Sequence, residues 1–405
     1  MNTGRKIAIT FAAVAAMGMA ATTAMAEKMY GPGVTDTSIK IGNTMPYSGP
    51  AAAYSQIGKS INAYFNKINK ENGGVNGRKI EFISLDDGYS PPKTKEQTRK
   101  LVEQDEVLLV FQGLGTPTQS AVHAYMNQKK VPQLFVATGA TKWGDPENYP
   151  WTMGWQPSYQ TEGQLFGTYV LKNVKDPKIA ILYQNDDYGK DYVKGMKDVL
   201  GDKASELIVA EESYEVTDPT INSQIIKLKD SGANVFFNVA TPKFAAQAIK
   251  KIYELNWKPV HLNNSVSNSV GAVYKPAGLE ESKGIISLQY FQDVTDPSIY
   301  DTEPYKKWKK FMEEYYPDGD QSSSFTAYGY LVAQTMEQVL KQAGDNLTRE
   351  NVMKEAANLD LELDMMLPGV KIQTGPDDYF PIEAMMPIAF DGEKFVPVGE
   401  VVSVN

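Results

Sequence analysis

The sequence predicts an α/β protein of two lobes, each a doubly wound parallel sheet with helices on both faces. Three observations carry this. Strand-like runs alternate with amphipathic helical runs in one block, and the alternation then restarts in a second. No low-complexity linker separates the blocks, so the lobes are expected to sit close together and to be joined by several crossing segments. The length, 405 residues, suits two domains of roughly 150–200 residues each.

The first block opens with a strand from Lys40-Ile41 toward Met45. Tyr54 to Asn72 reads as a helix, because Ile57, Ile61, Tyr64, Phe65 and Ile68 form one stripe. Residues 73–77 (GGVNG) are a turn cluster. A strand over Lys79 to Asp86, a helix over Pro92 to Gln104 and a buried strand over Val107 to Phe111 follow. A helix over Thr116 to Gln128 and a strand over Pro132 to Val136 complete the block. The second block repeats the order. Strands are expected at Lys178 to Tyr183, Leu207 to Ala210, Val235 to Asn238 and Pro259 to Leu262. Helices are expected at Gly189 to Leu200, at Ile221 to Lys229, and along the stripe Phe244, Ala248, Ile249, Ile252, Leu255. Beyond Gly284 the pattern is less regular until a long helix from Ser324 to Gln342.

Residues 1–26 read as a secretory leader, cleaved near Ala26. Arg5 and Lys6 form its basic start, residues 7–21 are apolar or small, and Ala24-Met25-Ala26 is an A-x-A site. With no cysteine there is no lipid attachment at an N-terminal cysteine, no disulfide and no thiolate chemistry, so a free periplasmic protein is expected. The net charge of −9 falls to −11 when Arg5 and Lys6 leave with the leader, which disfavours nucleic acid and anionic membranes as partners.

Three βα turns attract attention. Residues 113–119 (GLGTPTQ) follow a buried strand and open a helix. Thr116 and Gln119 have capping-box spacing, and the glycines leave helix-start N–H groups open to an anion. Residues 137–143 (ATGATKW) and 46–54 (PYSGPAAAY) are likewise small and hydroxyl-rich. Together they look like one wall of a carboxylate site at the carboxyl ends of parallel strands. A well-capped helix alone would read the same way at any one of them. Rival motifs fail. Gly58-Lys59-Ser60 lacks the first glycine of a phosphate loop, where Ala53 stands. Ser90 and Lys93 have S-x-x-K spacing without its companion motifs, and there is no G-x-S-x-G. With two histidines in the chain, a histidine-rich metal site is excluded, and no cofactor is expected.

These turns, in this order, resemble the type I periplasmic binding proteins, specifically the leucine/isoleucine/valine-binding family and its aromatic-acid relatives. The match rests on Ser48-Gly49-Pro50 followed by Tyr54, on residues 72–78 (NGGVNGR), on residues 115–118 (GTPT), on Ala140-Thr141, on residues 187–191 (DYGKD) and on Ser231-Gly232-Ala233. The resemblance implies two lobes joined by three crossing hinge segments that close on a ligand without chemistry. It also implies delivery to an inner-membrane ABC permease, by a protein expected to be a monomer. On that plan one lobe comprises about 27–160 and 285–345, the other about 161–284 and 346–405.

The resemblance further implies the site. Tyr54 lines the cleft. Gly115, Thr116, Ala140 and Thr141 belong to the turns that hold a carboxylate, and the Gly139 carbonyl faces an α-amine. Tyr188 closes over the ligand, Asn238 to Thr241 come from the second lobe, and Phe325 starts the long helix. Family members that bind amino acids place a carboxylate where this chain has residues 262–266 (LNNSV), and His261 through Lys275 contain no Asp or Glu. Asn264 and Ser265 stand there instead. The expected ligand is therefore a small organic acid, aromatic acids favoured over branched-chain amino acids, with Trp143 or Trp155 as further ring contacts and Asp186 or Asp187 as possible alternative acids. A ligand sensor docking on a receptor is the other reading of the same cleft. An exported enzyme lacks a nucleophile–base pair.

Overall fold

The computed structural model describes Met1 and residues 28–403. Apart from Met1, the expected leader lies outside the described residues. Two parallel sheets form, as the alternation predicts. The first holds five strands in the spatial order Lys79–Asp86, Ser38–Met45, Leu109–Phe111, Gln133–Val136, Thr152–Gly154, every neighbouring pair parallel. In the second, Ile208–Tyr214, Ile179–Gln184, Val235–Val239, Val260–Asn263 and Ile286–Gln289 run parallel. Ala384–Phe390 and Phe395–Pro397 then extend that sheet antiparallel. The central strands are buried on both faces, which is why they read as unbroken apolar runs rather than alternating ones.

The chain crosses between the lobes three times. It leaves the first sheet after Gly154 and enters the helix Tyr159–Asn173. It returns after Gln289 to the helices Glu303–Tyr315 and Ser324–Ala343, which pack on the first-lobe helix Ser55–Asn72. It crosses last into Ala384–Phe390.

The hydrogen bonds correct the expected division at 285 and 346. Ile286–Gln289 is a full member of the second sheet. Residues just after 346 belong with the first lobe. Asn346–Leu347 pairs with Met29–Tyr30, and the Arg349 guanidinium donates to the carbonyls of Leu108 (2.8 Å) and Val107 (2.7 Å).

One helix absent from the sequence reading is Tyr159–Asn173. Gly163 and Gly167 interrupt its stripe, yet they let it lie almost backbone to backbone on Asp187–Leu200. A Cβ at Gly163 would sit 2.4 Å from the Tyr192 carbonyl oxygen, and one at Gly195 only 2.0 Å from that of Gln160. Backbone cannot move aside cheaply. Gly163→Ala or Gly195→Ala should therefore cost about 1–3 kcal/mol of stability through overpacking. Gly375→Ala, whose Cβ would have its nearest neighbour at 3.8 Å, should stay near wild type. Urea denaturation of the three variants checks this, and equal midpoints for all three would refute the close-packing account.

Candidate functional site

In each sheet the first strand of the unit is flanked by the next two. Ser38–Met45 lies between Lys79–Asp86 and Leu109–Phe111, and Ile179–Gln184 lies between Ile208–Tyr214 and Val235–Val239. At such a switch point the following loops diverge and leave a crevice at the carboxyl ends of the strands. The two crevices face each other across a cavity with about 580 Å³ of empty space, part of it open to solvent.

The first lobe supplies Tyr54, Tyr89, Leu114, Gly115, Thr116 and Ala137, each from a turn after a strand. The second supplies Tyr188, Thr241, Ser265, Val266 and Asn268 in the same way. The crossing segments add Gln156, Tyr159, Tyr290 and Phe291, and the start of the long helix adds Ser324, Phe325 and Tyr328. Six tyrosines and two phenylalanines thus line the space, and none of the lining side chains is charged. The rings brace one another. Tyr54 and Phe325 have centroids 5.0 Å apart, and Tyr159 and Tyr188 5.1 Å. Behind them the buried Trp155 stands edge-on to Tyr328 at 4.9 Å and donates to Thr335 Oγ1.

Of the expected site residues, the structure gathers Tyr54, Gly115, Thr116, Tyr188, Thr241, Ser265 and Phe325 around the cavity. Gly115 adopts φ +99°, conformational space that favours glycine, and a Cβ there would strike the Tyr89 ring at 2.4 Å. Thr116 is not the cap of a capping box. Gly115 occupies the cap position, and the Thr116 hydroxyl pairs with Thr138 Oγ1 at 2.5 Å. Gln119 turns away to donate to Thr44 Oγ1. As a first-turn residue, Thr116 still has an N–H without an intrahelical acceptor.

The turn Gly139–Thr141 does not reach the cavity. The Gly139 carbonyl accepts from the Tyr159 N–H at 2.7 Å, and the Ala140 carbonyl from Trp143. Thr141 lines a separate recess, and its N–H donates to Asp191 Oδ2 at 2.7 Å, so the protein's own carboxylate takes the donor expected to hold a ligand. Asn264 lies just beneath the wall, its amide donating to the carbonyls of Asn238 and Ala240. Asn238 is likewise buried, against His261. Asp186 caps its helix through the N–H groups of Tyr188 and Gly189, and Asp187 pairs with Lys142 across the cleft. Trp143 and Trp155 are core residues.

Sequence reasoning missed Tyr89, Gln156, Tyr159, Tyr290, Phe291 and Tyr328. It also missed Glu162, one turn along from Tyr159. Glu162 is 1% exposed and accepts from Ser265 N–H (2.6 Å), Ser265 Oγ–H (2.7 Å) and Tyr192 Oη–H (2.7 Å). Burial pushes its carboxyl up to about 7, against the pull of those three donors. Among the described residues no cluster of three or more His, Asp or Glu could hold a metal, and no helix is long and apolar enough to cross a membrane.

The sign of the pH effect follows. The unfolded carboxyl titrates near 4.5 and the folded one near 7, so between these values the folded chain binds the extra proton. Stability contributed by this group falls as pH rises through that window, by about 3 kcal/mol in all, and is flat above it. The wild-type minus Glu162→Gln stability difference, from urea melts between pH 4.5 and 8, should show that slope. Parallel curves would refute it.

A family model for periplasmic binding proteins matches residues 38–392. Leu/Ile/Val-binding protein homolog 1 of Brucella suis is 26% identical over 326 residues, 78% of this chain and 82% of that protein. Among solved structures, a branched-chain amino acid ABC transporter protein from Thermus thermophilus with bound valine aligns with a TM-score of 0.81 at 16% identity, covering 92% of this chain and 98% of that one. A solute-binding protein of an ABC transporter from R. palustris, in complex with benzoate, aligns with a TM-score of 0.75 at 18% identity, covering 91% and 98%. With the family model spanning nearly every strand and helix of both lobes, the chain belongs to the periplasmic binding proteins, and the solved structures share its two-lobed fold.

Proposed function

We propose that this protein is the exported substrate-binding component of an ABC importer, and that it captures a small aromatic carboxylic acid by closure of its lobes. The single observation that carries the ligand class is the lining: eight aromatic rings and no charged side chain. Rings favour an aromatic body through area and edge-to-face contacts. A bare ammonium would be stripped of water with no carboxylate in the wall to meet it, at a cost of several kcal/mol, on the order of a buried unpaired ion.

On this reading the ligand carboxylate faces the start of the helix Thr116–Lys129, where first-turn N–H groups and the Thr116 hydroxyl act as donors. The Tyr188 and Thr241 turns close from the other lobe. Branched-chain amino acids are the second reading, favoured by the Brucella suis relative and by the valine held in the Thermus thermophilus structure.

Calorimetry against benzoate, 4-hydroxybenzoate, p-coumarate, leucine and valine decides between them. Aromatic acids should bind and the amino acids should not; tight leucine binding with no aromatic acid bound would overturn the ligand class. X-ray scattering should show compaction on ligand addition, and an unchanged radius at saturation would overturn closure. Thr116→Val should weaken the carboxylate's hold by about 1–3 kcal/mol, roughly ten- to a hundredfold in Kd. Thr141→Ala should leave Kd close to wild type, because its N–H is engaged by Asp191.

A further inference from the structure

Three hydroxyls toward the second-lobe side of the cavity, those of Ser265, Tyr54 and Tyr188, have their hydrogens committed to protein acceptors. Glu162 accepts from both the N–H and the Oγ–H of Ser265, which lines the cavity. Tyr54 Oη donates to the Val266 carbonyl at 3.0 Å. Tyr188 Oη meets Asn264 Oδ1 at 3.2 Å, and the direction of that bond is fixed. The Asn264 NH₂ is spent on two backbone carbonyls, at 2.9 and 3.0 Å, so its oxygen faces the tyrosine and the tyrosine donates.

A hydroxyl that has given its hydrogen keeps lone pairs. Ser265, Tyr54 and Tyr188 therefore offer a ligand acceptors, whereas the Thr116 end offers helix N–H donors. Around these three hydroxyls the cavity presents acceptors, opposite the donors of the helix start.

We propose that Glu162, acting through Ser265, sets specificity for an aromatic acid that carries a hydrogen-bond donor, such as a ring hydroxyl, at the end of the ring away from its carboxylate. This rests on the aromatic-acid reading above and refines it. Glu162 is a positioning residue: it touches Ser265 and Tyr192, and it does not line the cavity. In Glu162→Gln the amide oxygen must stay with the Ser265 N–H, because an NH₂ there would face another donor. The NH₂ then turns to Ser265 Oγ and Tyr192 Oη, fills their lone pairs and frees the serine hydrogen toward the ligand. The wall changes from acceptor to donor.

The test is the ratio of affinities for 4-hydroxybenzoate and 4-fluorobenzoate, which are close in size but differ in donating ability, measured by calorimetry on the mature protein at about pH 8, above the carboxyl's raised value of about 7, where Glu162 accepts from all three of its donors. Wild type should favour the hydroxyl about tenfold, the worth of one net hydrogen bond. The ratio should collapse toward one in Glu162→Gln and, independently of whether that variant folds, in Ser265→Ala. A loss of fold alone would not move this ratio in the molecules that remain folded. A wild type that binds both acids equally, or a preference retained in Ser265→Ala or in folded Glu162→Gln, overturns this inference and leaves the aromatic-acid reading standing. Failure of wild type to bind either acid overturns this inference, and failure to bind benzoate and p-coumarate as well overturns both.

Discussion

When two lobes close over a cavity, every polar group at their junction loses its water, and each one left unpaired costs about 1–3 kcal/mol. The cleft is built around that requirement. Tyr54 Oη reaches the Val266 carbonyl of the opposite lobe, Thr141 N–H reaches Asp191, and Lys142 Nζ reaches Asp187 at 2.5 Å. These contacts differ in worth. The Lys142–Asp187 pair is partly exposed and contributes little. Asp191 is more buried and its carboxyl is raised by desolvation, so its bond to Thr141 satisfies a group that would otherwise oppose closure. Opening the cleft has to break all three, and water must replace each partner.

The parallel sheets explain why the lining comes from so many separate places in the chain. Strand ends of both sheets point at one another, so each βα turn contributes one to three residues and the lining is drawn from many short pieces of the chain. Backbone constraints at those turns are local. Gly115 sits at positive φ against the Tyr89 ring, and the Tyr159 N–H locks the Gly139 carbonyl. The rings of the crossing segments complete the enclosure because the segments themselves run past the cavity between the lobes.

Much of this was legible in the sequence. The apolar stripes of Ser55–Asn72 and Pro242–Glu254 are regular, and the buried strands lack alternation, so the βα order could be read directly. Tyr159–Asn173 escaped because its packing face uses glycines, which carry no hydrophobic signal. Ala384–Phe390 escaped because an antiparallel strand added late to a parallel sheet has no βα partner to announce it. In the site, residues in βα turns with small neighbours were found, and aromatic residues from crossing segments were not. Tyr159 was in principle accessible, lying in the run 155–162 (WQPSYQTE) between the two blocks, where aromatic and polar residues mix without a stripe. The turn 139–141 stands apart from the cavity lining for a different reason. Its residue types suit an anion, but nothing in one sequence tells that the anion is the chain's own Asp191, fifty residues on.

That same distinction, between a charge met by a charge and a charge met by dipoles, bears on how a carrier of this kind releases its cargo. A lysine or arginine in the wall would hold a carboxylate tightly once desolvated, and parting them would leave a buried ion exposed to its full desolvation cost. Here no such side chain lines the cavity. On the proposed reading the anion is held by helix N–H groups and hydroxyls of one lobe, while the other lobe presents acceptors that meet only the ligand's distal end. Separation of the lobes then strips the distal contacts first and leaves the carboxylate on neutral donors, which water can replace one at a time. Behind the wall Glu162 and Asp186 each stand one residue removed from the lining and are already bonded to protein hydrogens, so Glu162 shapes which groups are recognised without adding an ionic bond that must be broken at delivery.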